Sequence, residues 1–362
     1  MTGCPHLASR GLCEETHWLE TGLAQPVAEA YFDAALEGWV LSRYADLVAA
    51  FHSPDLAMIG PTSKRKQPAL DECARLKMRA DTTEALSPAA LRRWHSEVLF
   101  DARARTAGFV FDRPVDLIAE YAEPVCLALA LRVTHPECED TARVTALAVQ
   151  IAAAAEEPFD EQLKEQAKTA LEELRGCFPA GPEPLRESGF VGLSRTMVHL
   201  LGNAWFALLR HPQEWQRLHA RPTLIGRGVE ELLRFAGLTR LLFRGAIADT
   251  TVNGIHIREG ERVILCILAA NRDPERFPDA DALSVTRRSL VQLSLGAGRH
   301  RCVGAPLIRV AALATTLALV ERFPSLQVVE PVRWRGGSGY SSPVSLPVLC
   351  STAPALENAA KP

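Results

Sequence analysis

The sequence lacks the features of several large classes of protein. No apolar run among its 362 residues reaches the length of a membrane span, and the first residues are polar, without the apolar core of a secretory signal. The net charge of −3 provides no basic surface for nucleic acid or for anionic lipid. We therefore expect a cytoplasmic protein with no membrane anchor and no nucleic-acid partner.

Common metal and nucleotide motifs are also missing. The nine cysteines are odd in number, and no two of them form a C-x-x-C pair. This pattern indicates reduced thiols and argues against a disulfide framework or a structural zinc site. The sequence has no H-E-x-x-H motif, no phosphate-binding loop and no complete dinucleotide-binding fingerprint.

Helical periodicity dominates what is present. Hydrophobic residues make up 48% of the chain, which is enough for a large core. Apolar residues recur at three and four positions through Leu70–Leu193, and Glu187–Leu209 reads as one long apolar helix, called the long helix below. The fold class is therefore predicted to be mainly α with minor β. Other helices are predicted at Val27–Leu36, Ala45–Phe51, Pro212–Leu218, Leu224–Phe235 and Pro306–Leu319, and strands at Trp39–Ser42 and Pro343–Leu349. The stretches Leu241–Ala248, Thr251–Ile257 and Arg262–Cys266 are β-rich, with turn signals at Asn253-Gly254 and Glu259-Gly260.

The most informative segment, 294–306, reads SLGAGRHRCVGAP. Its glycines, Gly296, Gly298 and Gly304, let the backbone approach a bulky group and leave N–H groups free to bond a sulfur atom. A cysteine thiolate held in this way is a good axial ligand for haem iron. The alternative for Cys302 is a buried free cysteine near a turn.

The segment resembles the haem-binding loop of the cytochrome P450 family, although the family usually has an aromatic residue where Leu295 stands. The motifs that precede it occur in the family's order: ELLR at 231–234, FR at 243–244 and NRDPERFPD at 271–279. The resemblance implies a cytochrome P450 fold, with one helix-rich domain over residues 1–362, small β-sheets, and loose ends at 1–15 and 352–362. It also implies haem b with Cys302 as the axial ligand to iron.

Further roles are implied by the same resemblance. Glu231 and Arg234 form a buried network with Arg287, and this network fixes the cysteine loop. The haem propionates are bound by Arg244 and His300. A further basic position of the family is matched by Lys77, for which a solvated helix face is an equal alternative, while the family's neighbouring histidine is replaced by Cys73. The residues implied to bind the cofactor are Cys302, His300, Arg244, Lys77, Gly296, Gly298, Gly304 and Leu295.

One departure from the family bears on mechanism. The family's oxygen-activating threonine is matched by Thr196, but the preceding carboxylate is replaced by Arg195. Oxygen activation consumes protons, and a guanidinium cannot accept and release them because it stays protonated. Three interpretations stay open. Arg195 pairs with a carboxylate elsewhere while water or His199 delivers protons, it anchors an acidic substrate, or the enzyme removes hydrogen atoms and lets the substrate couple with itself.

The region between Pro124 and the long helix is shorter than in the family, where it forms a lid over the distal pocket. A short lid indicates a more open pocket or a bulky substrate, such as a peptide-like or carrier-bound molecule. A trimmed loop without functional meaning is the alternative. By position, the substrate pocket is predicted to include Leu193, Leu238, Thr239, Leu241 and Tyr340.

The resemblance implies a cytochrome P450 monooxygenase-type oxidoreductase that oxidises a small specialised metabolite. Oxygen would be one substrate, and electrons would come from NAD(P)H through ferredoxin reductase and ferredoxin. The basic residues Arg299, Arg301 and Arg309 are candidates for docking an acidic ferredoxin, with ordinary surface charge as the alternative. Three other functions stay open: oxidative coupling of aromatic groups in a peptide-like or carrier-bound substrate, peroxide-driven oxidation, and haem binding without turnover.

Overall fold

The structure, a computed structural model, describes residues 29–34, 36–59, 72–111, 113–179, 185–288, 291–337 and 339–351. The ends predicted to be loose, 1–15 and 352–362, lie outside these residues.

Helices make up most of the described chain, as the sequence predicts. Residues 197–209 of the long helix are almost all buried, and their apolar side chains belong to the largest apolar cluster. The α-helices are α1 (Tyr44–His52), α2 (Glu72–Ala85), α3 (Pro88–Ala107), α4 (Glu123–Thr134), α5 (Thr141–Glu156), α6 (Glu161–Arg175), α7 (Glu187–Val191), α8 (Met197–Leu209), α9 (Pro212–Ala220), α10 (Ile225–Phe235), α11 (Ile267–Ala270) and α12 (Ala305–Arg322).

The strands form small sheets at the edges of the helical body. A five-stranded sheet has the order β1-β2-β8-β5-β3, a three-stranded sheet has the order β4-β12-β9, and two further pairs are β6-β7 and β10-β11. The strands are β1 (Tyr31–Asp33), β2 (Gly38–Leu41), β3 (Leu56–Met58), β4 (Val115–Asp116), β5 (Leu241–Ala246), β6 (Thr250–Val252), β7 (Ile255–Ile257), β8 (Arg262–Cys266), β9 (Ser325–Val328), β10 (Arg333–Gly336), β11 (Ser341–Ser345) and β12 (Pro347–Ser351).

The core explains how these layers hold together. The rings of Tyr121 and Trp205 lie 5.3 Å apart in the largest cluster, and both side chains are fully buried. The Tyr121 hydroxyl donates to the carbonyl of Thr315 in α12, and Trp205 Nε1 donates to the Thr316 hydroxyl. Two amphipathic side chains thus satisfy their polar atoms inside the core. Trp205 ties α8 to α12, the helix that follows the cysteine loop, and Tyr121 ties the helical turn before α4 to the same helix.

Three predictions about individual elements were wrong. The predicted helix Val27–Leu36 contains strand β1, because Tyr31–Asp33 pairs antiparallel with β2. The predicted strand Pro343–Leu349 is two strands, β11 and β12, that belong to different sheets. The long helix contains a π-helical turn at Gly192–Thr196 between α7 and α8, and apolar periodicity does not reveal such a turn.

Candidate active site

The cysteine loop is shaped by its glycines. The Cys302 N–H donates to the carbonyl of Leu295, 2.8 Å away, which closes the turn just before α12. Both Gly296 and Gly298 have left-handed backbone, with φ of 70° and 61°. A Cβ added to Gly298 would lie 2.5 Å from the carbonyl oxygen of Phe51 in α1. Only glycine fits this approach, so the predicted need for glycine here has a direct steric cause.

The sulfur of Cys302 lies against the start of α12. Burial raises the pKa of the Cys302 thiol, whereas hydrogen bonds from the backbone N–H groups of Gly304 and Ala305 lower it. The charges of Arg309 and Arg79 also favour the thiolate. The loop therefore offers oriented donors to a negatively charged sulfur, which is the environment that a metal-ligating thiolate requires.

A buried cation stands beside this loop. Arg244 in β5 is 3% exposed, and its Nη1 donates to the carbonyl of Phe243. Its Nε has no hydrogen-bond partner among the described residues. Burial and the neighbouring Arg299 lower the pKa of Arg244 to about 10. A buried guanidinium with an unused donor calls for an anion, so the site fits a cofactor that carries carboxylates. His300 contacts Arg299, the residue whose charge lowers the pKa of Arg244. The Nε2 of His300 accepts a hydrogen bond from Arg299 Nε at 3.1 Å.

Lys77 does not contact the cysteine loop. Its Nζ lies 2.9 Å from Asp81 Oδ2, and its side chain is 64% exposed, which agrees with the alternative of a solvated helix face. Arg79, also in α2, instead donates from Nη1 to the carbonyl of Arg301 at 2.8 Å. The side chain of Cys73 is outside the described residues.

The predicted charge network is present behind the loop. The carboxylate of Glu231 accepts from Arg234 Nε at 2.8 Å and from Arg287 Nε at 3.0 Å, and both Glu231 and Arg234 are fully buried. Arg234 also donates to the carbonyls of Asn271 and Ala280, each at 2.8 Å. One buried ion pair therefore fixes the extended chain between α11 and the cysteine loop.

Arg195 points away from the pocket residues. It lies in the π-helical turn together with Thr196, and its Nη1 donates to Glu123 Oε1 of α4 at 3.0 Å. This is the pairing with a carboxylate elsewhere that the first interpretation foresees. An anchoring role for Arg195 toward an acidic substrate is not supported, because Glu123 already supplies the anion.

Two of the predicted pocket residues lie together. Thr239 and Tyr340 pair through a backbone bridge, and the Thr239 side chain hydrogen-bonds the Tyr340 hydroxyl. Burial, together with the charges of Cys302 and Glu156, raises the pKa of Tyr340. The other predicted pocket side chains, Leu193, Leu238 and Leu241, are buried.

A buried cluster beside the long helix includes Glu156, which the sequence analysis missed. His199 Nδ1 lies 2.7 Å from the Ser342 hydroxyl, and its Nε2 lies 3.2 Å from Glu156 Oε1. Glu156 is the last residue of α5, after a run of four alanines. Nothing in that run distinguishes it from Glu157, which follows directly. Only the packing of α5 against α8 and β11 marks it.

The end of α5, within the short lid, lies against the segment before β11. The carbonyl of Glu156 accepts from the Gly339 N–H at 3.0 Å. A Cβ added to Gly337 or Gly339 would lie 2.1 Å from the carbonyl oxygen of Glu156 or Ala155, respectively. The end of α5 is therefore in backbone contact with the segment that leads into β11.

Known proteins agree with this geometry. The cytochrome P450 family model matches residues 212–332. The biotin biosynthesis cytochrome P450 of Bacillus subtilis (strain 168) is 39% identical over 154 residues, which are 42% of this chain and 39% of that protein. Nocardicin C N-oxygenase of Nocardia uniformis subsp. tsuyamanensis is 27% identical over 367 residues, covering 90% of this chain and 92% of that protein. The crystal structure of P450BioI in complex with an acyl carrier protein ligated to hexadec-9Z-enoic acid has a TM-score of 0.77 and 23% identity, covering 90% of this chain and 96% of that one.

The chain belongs to the cytochrome P450 family, a family of oxidoreductases with a haem-thiolate iron cofactor. The aligned part amounts to about two fifths of the length of the Bacillus relative, and to nearly all of the nocardicin relative. Within the described part of the chain, no helix has the length and apolar character needed to cross a membrane.

Proposed function

We propose that the chain is a haem-thiolate monooxygenase that oxidises a small specialised metabolite, with the whole of residues 1–362 forming one catalytic domain. The observation that carries this proposal is that two groups occur together. The sulfur of Cys302 accepts hydrogen bonds from backbone N–H groups, and the buried guanidinium of Arg244 has an Nε donor without a partner among the described residues. A single ligand that presents a metal to the sulfur and a carboxylate to the guanidinium satisfies both groups. Haem b has this composition, and when bound it supplies the activation of oxygen.

The residues around the site would have separate tasks. Cys302 would be the axial ligand, and the N–H groups of Gly304 and Ala305 would moderate the charge on its sulfur. Arg244, with His300, would hold the propionates. Glu231, Arg234 and Arg287 would be positioning residues for the loop. The Thr196 hydroxyl would assist oxygen activation, and the substrate would lie among Leu193, Leu238, Thr239, Leu241 and Tyr340.

Electrons would arrive from NAD(P)H through ferredoxin reductase and ferredoxin, as proposed from the basic residues near Cys302. Two of the three basic residues named for ferredoxin docking already have partners within the protein. Arg309 is paired with Glu230, and Arg299 donates to the carbonyl of Pro54. Arg301 is exposed and is the cation of this group that is best placed to meet an acidic partner.

Oxygen insertion is the outcome that we favour over oxidative coupling. The pairing of Arg195 with Glu123 supports the interpretation in which Arg195 binds a carboxylate elsewhere and other groups deliver the protons. Both full-length and partial relatives named as oxygenases or hydroxylases agree with insertion, such as the N-oxygenase above and mycinamicin IV hydroxylase/epoxidase, which is 28% identical over 382 residues. These names describe those proteins, and for this chain they support the reaction class.

The test is spectroscopic first and chemical second. The purified protein should bind haem. In its reduced, carbon monoxide-bound form, the wavelength of the Soret band should be shifted in the way that a thiolate ligand causes. Cys302→Ser should abolish that shift, and Arg244→Leu should lower haem retention. Arg210→Leu, a half-exposed arginine that contacts Glu330, is the matched control and should change neither.

Product mass then decides the reaction. With ferredoxin, its reductase and NAD(P)H, the product should be heavier than the substrate by one oxygen atom. A product lighter by two hydrogen atoms would show coupling or desaturation. Turnover with hydrogen peroxide alone would show a peroxide-driven enzyme, and a thiolate spectrum without reductant consumption would show haem binding without turnover.

A further inference from the structure

Position 195 leaves the distal side of the pocket without its usual proton carrier. The guanidinium of Arg195 stays protonated and is held by Glu123 in α4. Any route for protons must therefore use other groups. Glu156, His199 and Ser342 form a buried cluster with two titratable side chains that the proposed function has not yet used.

The cluster is built from three separate elements. Glu156 ends α5, His199 lies in α8, and Ser342 lies in β11. The three residues are 6%, 5% and 3% exposed. Burial would raise the pKa of the Glu156 carboxyl, but its contacts with His199 and with Arg335 outweigh burial and place that pKa below its ordinary value. The carboxylate is therefore ionised in a place where an unpaired charge would not be tolerated.

The cluster connects solvent with the pocket. Nη1 of Arg335 lies 3.5 Å from Glu156 Oε2, and the Arg335 side chain is 52% exposed, so one edge of the carboxylate lies near water. On the inner side, His199 lies three residues after Thr196 on the same helix, a spacing that places two side chains on one face. The Glu156 carbonyl also accepts from the N–H of Gly339, the neighbour of the predicted pocket residue Tyr340, so the end of α5 lies beside the predicted pocket.

We infer that Glu156, His199 and Ser342 relay protons to the pocket beside Thr196, in place of the carboxylate missing at position 195. This inference rests on the proposed function. A proton from water binds Glu156 and passes to Nε2 of His199, the ring releases its Nδ1 proton to the Ser342 oxygen, and the hydroxyl proton of Ser342 leaves toward the pocket. Each step breaks one O–H or N–H bond and forms another, so one proton enters and one leaves.

The geometry of the resting state suits a relay better than a static ion pair. His199 Nε2 is close to Glu156 but is not aligned for a hydrogen bond, whereas Nδ1 is in direct hydrogen-bond contact with Ser342. A small rotation of the ring or the carboxylate would complete the chain. Carboxylate, imidazole and hydroxyl can each accept and release a proton, which is the property that Arg195 lacks.

The test compares Glu156→Gln with Glu157→Gln, which removes the same charge one residue later. We expect Glu156→Gln to lower product formation by roughly 100-fold, because proton transfer by positioned groups contributes at least about this much. Substrate affinity should stay within about twofold of wild type. More of the NAD(P)H consumed should appear as hydrogen peroxide, and the solvent deuterium isotope effect on product formation should rise. Glu157→Gln should match wild type in all of these measurements.

A second readout does not depend on turnover. The carboxyl carbon of Glu156, followed by NMR in the haem-loaded protein, should titrate below the ordinary range, and His199→Asn should move its midpoint upward. His199→Asn should also reproduce the loss of product and the rise in peroxide. An unchanged Glu156 midpoint in His199→Asn, or a variant that loses haem and stability while its isotope effect stays at the wild-type value, would overturn the relay and leave the cluster a structural contact.

The two proposals fail in different ways. If wild-type protein shows the thiolate spectrum and turns over, and Glu156→Gln does so equally well, only the relay is overturned. If wild-type protein consumes no reductant and forms no oxidised product, the proposed monooxygenase function fails, and the relay fails with it.

Discussion

Replacing Glu231 by glutamine should destabilise the protein more than any other single loss of charge described above. The Glu231 carboxylate is fully buried and accepts from Arg234, Arg287 and the Ser284 N–H within 2.8–3.0 Å. Glutamine keeps the shape but leaves two guanidinium groups without their anion. Breaking a buried pair by removing one partner costs about 3–5 kcal/mol.

The loss can be measured by urea unfolding of the haem-loaded protein, followed by circular dichroism and by the haem spectrum. With a slope near 3 kcal/mol per M, the midpoint should fall by about 1–1.7 M. The matched control is Glu165→Gln, which breaks an i,i+3 pair with Lys168 whose side chains are 74% and 66% exposed. That variant should lose less than about 0.5 kcal/mol. A loss below about 1 kcal/mol for Glu231→Gln would refute the view that this ion pair holds the loop.

Two other substitutions test the distal side. Gly339→Ala places a Cβ 2.1 Å from the carbonyl of Ala155, so it should weaken substrate binding, measured by spectral titration, and lower the melting temperature. The control is Gly192→Ala, which has no atom within 4 Å of the added carbon and should leave both quantities unchanged. Equal effects of the two substitutions would contradict the lid contact. Arg195→Gln should keep the same product mass and change turnover by no more than about twofold, because the guanidinium is directed at Glu123, and a new product by mass spectrometry would show instead that Arg195 reaches the substrate.

The sequence was sufficient for features that depend on local chemistry. The glycines at 296 and 298 were predicted from their motif, and the structure shows left-handed backbone at both. The acid and base at 231 and 234 were expected to form a buried network, and their i,i+3 spacing in α10 lets them meet at 2.8 Å. Helix periodicity also located most of the helices, because the apolar stripe of each faces one contiguous core.

What the sequence did not provide depends on contacts between distant segments. Tyr31–Asp33 is a strand only because β2 lies beside it, and no local pattern outweighs a helical reading of an alanine-rich stretch. The roles of Arg195 and Glu156 were likewise undetermined, because a charged side chain in a helix takes its partner from whichever element packs against it. Lys77 and Arg79 show the same limit: they are two positions apart, and the rotation of α2 decides which one reaches the cysteine loop.

The contact of α5 with the glycines before β11 has a consequence for how this pocket could change. Closure there is made by backbone atoms, through a carbonyl of Glu156 and glycines that offer no side chain. Side chains on the pocket face of the lid can therefore be exchanged without altering the contact that seats it. The side chains that line the pocket can change while this backbone contact is kept. Substrate preference and lid closure are therefore free to evolve, or to be engineered, independently.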